Sequence, residues 1–125
     1  MHRSRIGVVL VDHPTPTYAS ASAFWGAVVG RSPEPLDGEP YASLGDLNGV
    51  QLAMQETGAG TPVRVHLDVE TDDVDAEVAR LSALGATVTD RREEYAIMAD
   101  PGGLVFCVVP VQTGDEFERA ALSWD

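Results

Sequence analysis

The sequence predicts an α+β fold made of two copies of one unit, strand–helix–three strands, packed together as a single domain. Three observations predict it. The stretch Val63 to Glu70 alternates strictly: Val63, Val65, Leu67 and Val69 are apolar, and Arg64, His66, Asp68 and Glu70 are polar. That is the period of a strand with one greasy face and one hydrogen-bonding face. Directly after it Val74, Val78, Leu81 and Leu84 recur at helical spacing, so a helix is expected from Asp72 to Leu84, with Gly85 closing it. Thr71 and Asp72 offer its N-cap oxygens, and the acidic Asp73 and Asp75 suit its positive end. The same order of elements stands in the first half of the chain, at a period near half its length.

In chain order, Arg5 to Val11 is a β-branched apolar run of strand length. Asp12-His13-Pro14-Thr15-Pro16 is a turn, with Thr15 as N-cap and Pro16 at the first helical position. A helix follows from Thr17 to Val29, with Tyr18, Ala21, Phe24, Trp25 and Val28 expected along its buried stripe, and Gly30 ends it. Arg31 to Pro40 is too proline-rich for more than a short edge strand. Tyr41 to Leu47 and Val50 to Gln55 form a hairpin about Asn48-Gly49. Gly58 to Pro62 connects to the second copy, in which strands near Thr87 to Asp90 and Tyr95 to Ala99 precede the turn Asp100-Pro101-Gly102-Gly103 and the strand Leu104 to Val109. The repeat units thus run over about residues 5–57 and 63–110. A helical tail is expected over 114–124, where Phe117, Ala121 and Trp124 share a helical spacing. Neither half buries its own sheet face alone, so the two are expected to form one domain.

Composition narrows the function. A chain of 125 residues with 44% apolar content is long enough for a real core. The formal net charge of −12 argues against nucleic acid and anionic membranes as partners. All eight basic residues are arginine, a composition typical of GC-rich bacterial genomes. No run approaches transmembrane length and no leader-like apolar run follows the charged first residues, so a cytoplasmic protein is expected. The single cysteine, Cys107, cannot form an internal disulfide, which fits a reducing compartment.

Four short motifs carry a further inference: Phe24-Trp25 before Gly30, His66-Leu67-Asp68 before the acidic helix start, Leu84-Gly85-Ala86, and Ala99-Asp100-Pro101-Gly102-Gly103. In this order, from about residue 5 to 110, the chain resembles the glyoxalase/bleomycin-resistance-like (vicinal oxygen chelate) superfamily, and within it the small glyoxalase-like subgroup. The resemblance implies two βαβββ repeats with curved mixed sheets, a cup holding a small molecule or a divalent metal, and a homodimer. Alternation then places Val9, Val11, Val105, Cys107 and Val109 on the cup side, with Gln51, Gln55, Arg64, His66 and Asp68 among them.

The expected ligand-binding residues are therefore Gln51, Arg64, His66, Asp68 and Cys107. His66 is the one candidate for catalysis, as a base. Cys107 as nucleophile needs a neighbour that lowers its pKa, which His66 could supply. Phe24 and Trp25 are read as core. Metal-dependent members of the superfamily draw histidine from the two leading strands and glutamate from the two closing ones. Here His66 matches one histidine, while Gly7, Ala53 and Cys107 stand at the other three positions. One imidazole binds a divalent ion weakly, so no metal and no other cofactor is expected. Two functions follow from the resemblance: a metal-free binding protein for a small organic molecule, or a lyase, isomerase or epimerase using His66 or a divalent metal. Mostly apolar walls with a few polar groups suit a partly aromatic or amphipathic ligand. The acidic charge favours a neutral or cationic one.

Overall fold

In the computed structural model, which describes residues 1–125, each half of the chain adopts the expected strand–helix–three-strand order. The first copy is β1 (His2–His13), α1 (Thr15–Val29), β2 (Glu34–Pro35), β3 (Tyr41–Leu47) and β4 (Val50–Glu56). The second is β5 (Arg64–Thr71), α2 (Val74–Ala83), β6 (Thr87–Arg91), β7 (Ala96–Ala99) and β8 (Val105–Pro110), followed by α3 (Asp115–Ala120) and β9 (Leu122–Trp124). The chain divides into two compact units: Val9–Val65, called here the α1 unit, and Met1–Val8 with His66–Asp125, the α2 unit. Strand β1 is therefore shared between them. No helix is long and apolar enough to cross a membrane.

In the α1 unit the strand order is β2-β3-β4-β1. The β3–β4 hairpin turns on Asn48 and Gly49, both at positive φ (53° and 92°), the backbone that a two-residue turn matching the strand twist demands. Gly30 closes α1 at φ 74°. The core gathers Ala42, Leu44 and Met54 under Tyr18, Ala21 and Val29 of α1, with Leu52 and Val11 beside them. Two expectations fail here. Val11 packs with the α1 side, not with a ligand face: in an apolar run such as Ile6 to Val11, no polar residue marks which parity points where. The stripe of α1 is also rotated from the expected one. Phe24, Trp25 and Val28 are exposed, because Tyr18, Ala21 and Val29 already cover the small-residue sheet.

In the α2 unit the order is β1-β5-β8-β7-β6, with β9 antiparallel to the start of β1. Leu67 and Val69 of β5 and Phe106 and Val108 of β8 pack with Ala96 and Met98 against Val74, Val78 and Leu81 of α2, as the alternation requires. The helix starts two residues later than expected. Asp73 is the N-cap, accepting from the Ala76 N–H at 3.0 Å. Thr71 and Asp72 are used elsewhere: the Thr71 hydroxyl donates to the Arg3 carbonyl, and Asp72 accepts from the Arg3 backbone N–H, both at 2.8 Å. The tail is helical only through Ala120. At Ala121 the backbone turns extended, and Leu122 to Trp124 pair with Ser4 to His2. Unsatisfied strand-edge groups on β1 outweigh the helical spacing of Phe117, Ala121 and Trp124.

Candidate functional site

Strand β5 carries two chemistries on its two faces. With Leu67 and Val69 committed to the α2 core, His66, Asp68 and Glu70 share the opposite face. All three are buried, at 8%, 8% and 0% exposure, so each needs partners inside the protein.

The His66 ring Nε2 lies 3.1 Å from Asp68 Oδ1. Since a carboxylate only accepts, the imidazole donates this bond, which fixes the ring orientation. Strand β8 runs parallel to β5 with Asp68 opposite Cys107, and β7 sets Ile97 opposite Cys107 on the other side. Register thus brings the half-buried Cys107 thiol onto the His66–Asp68 pair. Donor atoms of the three residues all lie within 4.8 Å of one another. Val105 and Val109, two residues either side of Cys107 on the same strand, border the group with apolar surface.

Glu70, the third polar residue of the face, plays a different part. Its carboxylate accepts from Arg5 Nε (2.7 Å), from the backbone N–H groups of Gln112 (2.8 Å) and Thr113 (3.0 Å), and from the Thr113 hydroxyl (2.5 Å). Burial alone raises its pKa, but Arg5, Thr113 and the two amides together hold it below the usual carboxylate value. Its alternation with His66 and Asp68 marked Glu70 only as polar. That it ties the segment after β8 to the sheet was not readable, because its partners lie more than forty residues on.

Of the five expected ligand residues, the structure brings His66, Asp68 and Cys107 together. Gln51 and Arg64 belong to the α1 unit. There Gln51 stands opposite Asp46 on β3, and Arg64 Nε lies 3.5 Å from the buried Asp12 carboxylate. Gln55 donates from its side-chain amide to the Tyr41 hydroxyl at 3.3 Å. His13 engages the Thr17 hydroxyl at 3.1 Å.

The four-position metal set implied by the resemblance does not fit this chain. Ala53 has no donor atom, and Gly7 has no side chain. A Cβ on Gly7 would collide with the carboxyl group of Glu70, so a side chain there would require Glu70 to move. Asp68, absent from that set, raises the number of clustered donors to three.

A second buried polar cluster lies on the α2 side. His2 Nε2 donates to Glu77 Oε1 at 2.7 Å, and Arg80 grips both Glu77 oxygens at 2.8 Å. Burial opposes ionisation of Glu77, but Arg80, Ser4 and His2 outweigh it and hold its pKa at about 2. A cavity of about 430 Å³ opens beside this cluster, lined by Ile6, Val69, Leu81, Leu122 and Trp124 among others. Its polar residues Ser4, Arg5, Glu77 and Arg80 are all bonded within the protein, Ser4 to Trp124, Arg5 to Glu70 and Glu77 to Arg80, so it offers a ligand mostly apolar wall.

A family model described as a glyoxalase-like domain matches residues 8–109. No curated protein matches the sequence. Among solved structures, the chain is similar to one described as an NAD-dependent benzaldehyde dehydrogenase from Legionella pneumophila, at TM-score 0.62 and 14% identity, over 84% of this chain and 98% of that one. It is similar to a Mn(II)-bound glyoxalase from Novosphingobium aromaticivorans, at TM-score 0.59 and 20% identity, over 88% of this chain and 40% of that one. A glyoxalase/bleomycin resistance protein/dioxygenase superfamily member from Vibrio splendidus 12B01 matches at TM-score 0.52 and 14% identity, over 89% of this chain and all of that one. At these identities the likeness is one of fold.

Proposed function

Because the chain belongs to the glyoxalase-like domain family, within the glyoxalase/bleomycin-resistance-like superfamily, we propose that it binds a small organic molecule against the polar face of β5. The observation that carries this reading is the buried His66–Asp68 pair beside Cys107, on the sheet face turned from the α2 core and bordered by Val105 and Val109. A buried histidine–carboxylate pair contributes little to stability that apolar residues would not. Convergent polar groups among apolar walls are what a small-molecule site needs. The net charge of −12 favours a neutral or cationic ligand with an aromatic or amphipathic body. A second copy of the chain is expected as partner, through the exposed rings of α1.

The test is a thermal-shift screen of aromatic amines and their neutral analogues on chelator-treated protein, followed by calorimetry of the hits. His66→Ala should lower affinity at least tenfold, and His13→Ala should leave it unchanged. A hit that both variants bind as the parent does would remove His66 from the site.

A further inference from the structure

We infer that the cavity beside the His2–Glu77–Arg80 cluster is a second binding site, one for a neutral, apolar organic molecule. It lies on the α2 side of the sheet, back to back with the face that carries His66 and Asp68. The two sites share only the backbone of β5, so this one stands independently of the function proposed for the other face.

Shape supplies the first support. The walls come from Ile6 of β1, Val69 of β5, Leu81 of α2, and Leu122 and Trp124 of β9, with Ala120 at the end of α3 beside them. The volume of about 430 Å³ falls among the clefts that enclose small organic molecules, about 300–1,000 Å³. Ile6 and Leu122 line it yet stay 47% and 60% exposed, which leaves apolar wall for an occupant to cover. The walls are also fixed in place. Strand β9 pairs with β1 from His2 to Ser4, and the Trp124 ring is held by the Ser4 hydroxyl and by Arg80. Arg80 is in turn clamped by Glu77. A ligand entering such a pre-formed site orders few side chains, so little conformational entropy is lost.

Hydrogen bonding decides the class of ligand. The Ser4 hydroxyl accepts from Trp124 and donates to Glu77, and Arg5 is bonded to Glu70 and Thr113. Glu77 and Arg80 hold each other through both carboxylate oxygens. An ion or a peptide backbone entering the cavity gives up its water and meets polar side chains already engaged, so both are disfavoured. An apolar molecule has no such loss. It displaces water that apolar walls hold loosely, which favours binding.

Trp25 and Trp124 are the only tryptophans, so in Trp25→Phe protein the cavity's own Trp124 emits alone. Titrating that protein with the neutral fluorophore phenylnaphthylamine should quench Trp124 saturably while the probe's emission rises. Anilinonaphthalene sulfonate, which adds one negative charge to the same rings, should bind at least tenfold more weakly. In the same background, Ala120→Phe sets a ring in the mouth of the cavity and Leu122→Glu sets a charge on its wall. Both positions are exposed, so each variant should keep the parent's circular dichroism and bind the neutral probe at least tenfold more weakly. His66→Ala and Phe24→Ala should bind it as the Trp25→Phe parent does, since neither residue lines the cavity. No saturable quench, parent affinity in Ala120→Phe or Leu122→Glu, equal affinity for the sulfonate, or a tenfold loss in Phe24→Ala each overturns the proposal. A loss confined to His66→Ala also overturns it, because the probe then sits on the opposite face of β5, where it supports the function proposed for that face.

Discussion

Glu70 occupies the space that a side chain on Gly7 would need. The glycine is thus required by packing and not by its backbone angle, which lies outside the positive-φ region. Gly7→Ala drives a Cβ into a carboxyl group fixed by Arg5, Thr113 and two amides, and overpacking of this kind costs about 1–3 kcal/mol. A melting temperature lower by roughly 5–10 °C is expected. In Gly7→Ala/Glu70→Ala the clash is gone, so the double variant should be more stable than the sum of the single effects predicts. Strict additivity in calorimetry would mean that the two residues do not meet.

The acid limb of stability should trace to Glu77 and Glu70. Both have folded pKa values below their unfolded ones, Glu77 at about 2 against 4.5. The unfolded chain therefore takes up protons first as pH falls, and stability is full above about pH 4.5 and lost progressively toward pH 2. For Glu77 the contribution is on the order of 3 kcal/mol. Glu77→Gln should destabilise the protein at pH 7 and flatten the decline between pH 4.5 and 2. An unchanged slope in urea unfolding across that range would place the acid sensitivity elsewhere.

Trp124 joins the end of the chain to both β1 and α2. Its indole N–H donates to the Ser4 hydroxyl at 2.8 Å, and the Arg80 guanidinium stands 3.9 Å from the ring centroid. Trp124→Phe keeps a ring under Arg80 and loses the hydrogen bond, a change of about 1 kcal/mol. Trp124→Ala loses both and should cost about 2 kcal/mol. The amides of His2 to Ser4, which pair with β9, should then exchange faster with solvent. Equal stability of the two variants would mean that the cation–ring contact contributes nothing.

Much of the fold was legible because it rests on local rules. Alternation in β5, Asn48-Gly49 and the closing Gly30 each specify one backbone conformation, and each is found where expected. The His66–Asp68–Cys107 face was legible for the same reason: parity fixes which side chains share a face. What escaped depended on distant partners. Thr71 and Asp72 read as caps until Arg3 claims them, and the Phe117–Trp124 spacing reads as helix until β1 claims its second half. The bonding of Glu70 and Glu77 was not legible, since no rule of sequence spacing places Arg5, Thr113 or His2 beside them. The stripe of α1 was misread because the helix is apolar nearly all round, so periodicity alone could not choose its buried side.

That misreading yields the last prediction. Phe24 and Trp25 stack edge to face with centroids 5.1 Å apart, and Val28 stands one turn beyond Phe24. Phe24 and Val28 are 59% and 58% exposed, a concentration of large apolar side chains unusual on a surface that only meets water. A second copy of the chain, presenting the same rings across a twofold axis, would cover them. Sedimentation at micromolar concentration should therefore find a dimer for the parent. Phe24→Glu sets a charge in the middle of the patch and should give a monomer, because an uncompensated carboxylate cannot be buried there. The folded unit should be unharmed, since Phe24 takes no part in the Ala42–Leu44–Met54 core, and its melting temperature at low protein concentration should match the parent's. A parent that sediments as a monomer, or a Phe24→Glu protein that remains dimeric, would take this face out of the assembly.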